Sequence, residues 1–296
     1  MRNPFLYSAH CGVVKKLTAI FVSLVALAGA ALANDADSIP LPFAVGEKLT
    51  YQVFWGPFVV GRATLEVASI EPVDGHDCYH LVAKAKTSGL IDALFPINST
   101  AESWLDCDGL FTRRYREDRS EGKRHHNTES HYDYASRETV ITNRINGKQR
   151  HVLLDQPVQD VVSSLYVVRT RKLMLDSDQM FAISADISTY NVTIRPDERK
   201  LIWVKPFGDV QALRVEPNPT LSIVSANKGR MWFWISDDAR HLPLLVNSDM
   251  KFGSARLVLF SVVAGRAPSV TASKTGGASS FPTPMALNAG SPEPAP

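Results

Sequence analysis

The feature that most constrains this chain is a period-two alternation of apolar and polar residues, repeated from about residue 48 to residue 262. Side chains on a strand point to opposite faces in turn, so such a pattern buries one face of a sheet and wets the other. In Lys48–Phe54, Leu49, Tyr51 and Val53 fall on one face and Lys48, Thr50 and Gln52 on the other. Ala63–Ile70 continues the pattern after a turn containing Trp55-Gly56-Pro57 and Gly61. Cys78–Lys86, Thr100–Asp106, Phe111–Asp118, Arg124–Tyr134 and Glu138–Ile145 read as further strands. Asp108-Gly109, Glu121-Gly122 and Asn146-Gly147 punctuate them, the last being a hairpin signal because both residues tolerate positive φ. After an interruption the pattern resumes at Phe181–Asp186, Tyr190–Ile194, Lys200–Lys205, Val210–Val215, Met231–Ile235, Leu242–Asn247 and Ser254–Val262. Short strands at such spacing imply an antiparallel meander.

The interruption has helical spacing. Val158, Val161, Val162, Leu165 and Val168 share one face. Pro157 suits a first turn, Asp160 the positive end and Arg169, Arg171 and Lys172 the negative end. The expected fold is therefore mainly β: a single large curved antiparallel sheet or open β-barrel with one covering α-helix over about 157–173. Leu90-Ile91-Asp92-Ala93-Leu94-Phe95-Pro96 is a short apolar segment, read either as a lip of a pocket or as a helical turn plugging one end.

The ends of the chain differ from this pattern. Arg2, Lys15 and Lys16 precede an apolar run, Leu17–Leu32, that closes on Ala31-Leu32-Ala33. These are the parts of a Sec-type signal peptide, so residues 1–33 are expected to be removed and the mature protein to be periplasmic; a retained signal anchor is the alternative reading. No Cys follows the run to carry a lipid anchor, and no later stretch reaches the ~18 apolar residues of a second span. Residues 34–265 then form one β-rich domain. Residues 266–296 are rich in Ala, Ser, Pro and Gly and read as a disordered tail. Loss of Arg2, Lys15 and Lys16 takes the formal charge from +2 to −1, which argues against a nucleic-acid partner. Cys11 leaves with the signal, and Cys78 and Cys107 in an oxidising compartment are read as one disulfide, with two separate buried thiols as the alternative.

Catalytic motifs are absent from the sequence: there is no phosphate loop, G-x-G-x-x-G, H-E-x-x-H or G-x-S-x-G, and no cofactor is expected. In His125–His131, Glu129 and His131 share a strand face and could meet one metal ion, but the neighbouring Arg113, Arg114 and Arg116 oppose a cation, and a solvated face is the simpler reading. His76, Asp77 and His80 form a weaker cluster beside a turn. The aromatics say more. Trp232 and Trp234 alternate with Met231, Phe233 and Ile235, so that strand is apolar on both faces and either lies between layers or lines a cavity. The candidate ligand-binding residues are accordingly Trp55, Trp104, Trp232, Trp234 and Tyr166, around a lipid-like molecule held between sheet and helix.

Several patches together carry a resemblance. Gly46-Glu47-Lys48-Leu49-Thr50-Tyr51 with Trp55-Gly56 and Gly61 form the first. Glu102-Ser103-Trp104 with Asp106 and Gly109-Leu110 follow, then Asp160, Ser164-Leu165-Tyr166 and Arg169. The last are Trp234-Ile235-Ser236-Asp237-Asp238 with Arg240, Pro243 and Gly253-Ser254. In order and spacing the chain resembles the bacterial exported family known as domain of unknown function 3108, over about residues 43–262. The resemblance implies an exported, mostly antiparallel β fold without an agreed catalytic set. Leu175–Ser188 and the basic hairpin Arg113–His131 do not map onto the pattern.

Three functions are compatible with these features. The first is a non-enzymatic periplasmic protein of the cell envelope that binds a lipid-like ligand. The second is an envelope-polymer hydrolase using carboxylates such as Glu102, Asp106 or Glu129, and the third a structural module contacting an envelope protein. Read as turns and caps, the recurrent acids and glycines need no substrate.

Overall fold

A computed structural model describes residues 40–94, 96–219, 230–250 and 253–266. The expected signal peptide and the tail from residue 267 lie outside the described residues, as does Phe95. Fourteen antiparallel strands form one sheet: β1 (Lys48–Trp55), β2 (Phe58–Val73), β3 (His76–Thr87), β4 (Ile97–Asp106), β5 (Thr112–Glu121), β6 (Arg124–Asp133), β7 (Glu138–Asn143) and β8 (Gln149–Leu153) in the first half. The second half holds β9 (Gln179–Ala185), β10 (Ser188–Val204), β11 (Gly208–Pro219), β12 (Arg230–Ser236), β13 (Pro243–Met250) and β14 (Gly253–Val263). Two meanders, β1 to β8 and β14 to β9, join where β1 pairs with β14, so β8 and β9 are the sheet edges and the sheet does not close into a barrel.

The fold class matches the alternation, with local differences. Tyr190–Ile194 and, as far as Val204, Lys200–Lys205 belong to one strand, β10, whose register shifts between Pro196 and Glu198 because proline gives the ladder no N–H. The Asn146-Gly147 turn is longer than a two-residue hairpin: Asn143 accepts from the N–H groups of Ile145 (2.9 Å) and Asn146 (3.2 Å), holding a five-residue connection. Gly61 is required for a different reason, since a Cβ there would lie 2.4 Å from the Lys86 carbonyl oxygen. The segment Leu90–Leu94 is a helical turn, α1.

The central helix differs most from its sequence pattern. Helix α2 spans only Ser163–Val167 and continues as a 3-10 turn over Val168–Thr170. Upstream, Gln159 is extended: its N–H donates to Ala182 O and its carbonyl accepts from Ser184 N, while Val158 O accepts from Thr112 N. Residues 158–159 are thus wedged between edge strand β9 and the start of β5, where they bridge the open seam. The Asp160 carboxylate accepts from the N–H groups of Val162 (2.6 Å) and Ser163 (2.9 Å), which fixes where the helix starts. Residues Val161 to Val168 are all buried, so the sheet curls around the helix instead of carrying it as a lid.

Candidate functional site

Two polar clamps hold the helix inside the curl. At its start, Asp160 is fully buried, and besides the two N–H groups it accepts from the hydroxyls of Ser103 (2.5 Å) and Thr112 (2.7 Å). Burial raises its pKa, against the lowering by Ser103, the Ser163 N–H and Thr112. At its end, Arg169 donates to both oxygens of Glu47 (2.6 and 2.9 Å), to Pro42 O (2.7 Å) and to Arg240 O (3.1 Å). Its guanidinium also lies over the Phe43 and Tyr166 rings. His241 bonds back to Arg169 O, and Ser236 ties its turn by donating to Asp238 and accepting from Leu242 N. Residues that resemble the family pattern therefore form the structural frame.

Between this helix and the concave face of the sheet lies a mainly apolar pocket that opens to solvent. Its size comes from small side chains in register. Ala63 faces Tyr51 and Ala85, Leu65 faces Ala83, and Ala83 faces Ala101. Four alanines thus meet where neighbouring strands elsewhere present Leu, Val or Tyr. Val161 and Leu165 of the helical segment, with Val246 and Leu257, complete the apolar wall. Tyr51 also borders the space, but its hydroxyl is engaged by Pro243 O at 3.0 Å. Of the two charged residues at the pocket, Lys84 is exposed and alternates with Ala83 and Ala85, whereas Glu117 shares the concave face with Ala101. Burial raises the Glu117 pKa, offset by Arg119 and His126 and reinforced by Asp186 and Glu121.

None of the five aromatic candidates borders this pocket. Trp55 is half-buried and packs on Gly253. Trp232 and Trp234 are half-buried on the face opposite the buried Met231, Phe233 and Ile235, and Arg230 covers Trp232 at 5.7 Å. Tyr166 is buried beside Phe43, with a hydroxyl that has no hydrogen-bond partner among the described residues. Trp104 lies on the convex face, stacked on His80 at 4.6 Å and donating to Glu71 at 2.9 Å. Cys78 and Cys107 are free thiols near one end of the β3–β4 pair, both pushed up to about 12 chiefly by burial. The sequence could have given the pocket through the same-face alanines, but only once the strand register was known.

The carboxylates proposed for chemistry are engaged by cationic or imidazole partners. Glu102 meets His80 (3.1 Å) and Arg116 (3.4 Å), and Asp106 accepts from Arg113 (2.5 Å) and Gly109 N (2.6 Å). Glu129 is held by Arg114, Arg116 and Arg144, while His131 pairs with Asp74. Together Glu71, His80, Glu102, Arg116, Glu129 and Arg144 form a ladder of alternating acidic and basic side chains across the convex face from β2 to the end of β7. No group of three or more potential metal ligands occurs among the described residues, nor any helix long and apolar enough to cross a membrane.

Among solved structures, the chain is similar to a β-barrel-like protein of the domain of unknown function DUF1849 from Brucella abortus, at 10% identity and a TM-score of 0.49. It is also similar to a protein with a YmcC-like fold from Bacteroides fragilis, at 8% identity and a TM-score of 0.29. Each comparison covers 75% of this chain and 98% of the other. No curated protein matches the sequence. The model of the family described as protein of unknown function DUF3108 matches residues 50–259, and the chain belongs to that family.

Proposed function

We propose that, after removal of residues 1–33, this protein is a non-enzymatic carrier in the periplasm that holds a lipid-like molecule in the pocket beneath α2. The observation that supports this reading is the alanine-lined hollow. Its wall is apolar with few polar groups, as the walls of small-molecule sites are. Alanines at these positions forgo packing contacts that larger side chains would make, and an apolar ligand seated on them would restore such contacts.

The experiment is native mass spectrometry and organic extraction of protein purified from the periplasm of an expressing cell. A bound amphiphile is expected, and it should be lost when Ala101→Phe or Ala83→Phe fills the hollow. A ligand-free wild type that also fails to bind an added fluorescent alkyl probe with an uncharged head overturns the reading. The same preparation tests the export proposal through its N-terminal residue, expected at Asn34. It also tests the Cys78–Cys107 bridge, because alkylation of both thiols in denatured, unreduced protein would exclude it.

A further inference from the structure

From the geometry of Glu117 in the pocket wall we infer that the amphiphile carries a cationic, hydrogen-bond-donating head, an ammonium group, seated against that carboxylate, and that the pocket discriminates against a carboxylate head. The inference rests on the carrier reading and adds the ligand's polar chemistry to it.

Glu117 follows the apolar surface without a break. Strand β5 pairs Glu117 with Ala101 of β4, and Ala101 in turn lies opposite Ala83, so an alkyl chain on the alanines points its end at Glu117. On the other side Thr128 of β6 faces Glu117, and His126 Nε2 stands 4.0 Å from its Oε2. The nearest guanidinium is shared. Arg119 donates to Glu117 Oε1 at 3.0 Å and also pairs with Glu121 at 3.1 Å. One guanidinium thus serves two carboxylates, and Asp186 in the β9–β10 turn adds a third negative charge within electrostatic reach of Glu117. A carboxylate head entering here meets Glu117 with Arg119 already committed. An ammonium head gains a charge-assisted hydrogen bond to Oε2 in a half-enclosed site, where water screens the attraction poorly.

The test compares dodecylammonium with dodecanoate, which share an alkyl chain and differ in the head. Each displaces a fluorescent alkyl probe with an uncharged head from periplasm-purified protein, below its micellar concentration. The wild type is expected to bind dodecylammonium about tenfold or more tightly, the range of one hydrogen bond to a charged group. Glu117→Gln keeps an acceptor for Arg119, and it should bring the two affinities within about twofold, chiefly by weakening the ammonium ligand. Equal binding of both heads by the wild type, or tighter dodecanoate, overturns the inference and leaves the carrier reading intact. If neither displaces a probe and Ala101→Phe changes nothing, the carrier reading itself fails and takes this inference with it. Should Glu117→Gln not fold, the wild-type comparison decides alone.

Discussion

Replacing Arg169 by Met removes the contact that joins the N-terminal segment, the helix end and the β12–β13 turn. The guanidinium makes four hydrogen bonds, two to Glu47 and one each to the carbonyls of Pro42 and Arg240, and its side chain is 1% exposed. Methionine fills much of the volume but leaves Glu47, whose side chain is 8% exposed, without its cation. Breaking a buried ion pair from one side costs about 3–5 kcal/mol. The two orphaned carbonyls add about 1–3 kcal/mol each if they stay dry. Such terms do not add fully, because the turn can shift toward water, so the expected loss is about 4–5 kcal/mol. That is a large part of the ~5–15 kcal/mol that stabilises a domain. Urea denaturation followed by tryptophan fluorescence measures it, with the slope held constant across variants. The double variant Arg169→Met, Glu47→Leu removes the stranded charge and should recover at least half of the loss, since an apolar pair often replaces a buried ion pair without penalty. A single-variant loss under about 1 kcal/mol, or no recovery in the double variant, refutes the assignment of Arg169 as the clamp.

Asp160→Ala should cost about 3 kcal/mol or more, because it removes a helix cap and orphans the Ser103 and Thr112 hydroxyls, whereas Asp160→Asn should stay within about 1 kcal/mol of wild type by thermal denaturation. Tyr166→Phe should be neutral or stabilising, because the deleted hydroxyl is buried without a partner among the described residues; a loss above about 1 kcal/mol contradicts that reading. Of the five carboxyls held below their ordinary values among the described residues, Glu71, Glu129, Asp133, Asp178 and Asp238, the two glutamates lie on the convex face and contribute to the acid limit. Glu71 lies below its ordinary 4.5 through the Trp104 indole, and Glu129 does so despite burial because Arg114 and Arg116 attract its charge. A depressed folded pKa gives stability that is complete above the unfolded value and lost as pH falls through the folded one. The urea midpoint should therefore fall below about pH 4.5, with a shallower fall in Glu71→Gln and Glu129→Gln; equal slopes in all three proteins would remove these groups from the account.

The sheet was legible in the sequence because alternation is a local signal, and Lys48–Phe54 or Arg124–Tyr134 show it without reference to anything distant. The helix was legible in position but not in extent. Val158 sits at helical spacing from Val161 and Val162, yet Gln159 finds backbone partners in β9, and those bonds exist only after the sheet has curled. The alternation also placed Trp232 and Trp234 on one face and Met231, Phe233 and Ile235 on the other, but not which face looked inward. The pocket was hidden for the same reason: Ala63, Ala83, Ala85 and Ala101 are unremarkable singly, and only the cross-strand register gathers them.

The clamps and the alanines bear on one question, why the curl does not collapse onto its own interior. A sheet lined with Ala would ordinarily draw closer to the helix until side chains meet, since a gap of even half an ångström forfeits contact energy. Here the helix cannot approach freely. Asp160 ties its start to Ser103 on β4 and Thr112 on β5, and Arg169 ties its end to Glu47 ahead of β1 and to the turn before β13. These polar contacts are directional, so they set a distance as well as an attraction. The hollow lies between the two anchors, along the stretch of β2 to β5 that neither of them touches. Neutral substitutions that loosen a clamp should then reduce the binding of an apolar probe without altering any residue of the pocket wall. Asp160→Asn in a clamp and Ala101→Phe in the wall separate the two contributions, the first acting on the shape of the space and the second on its volume.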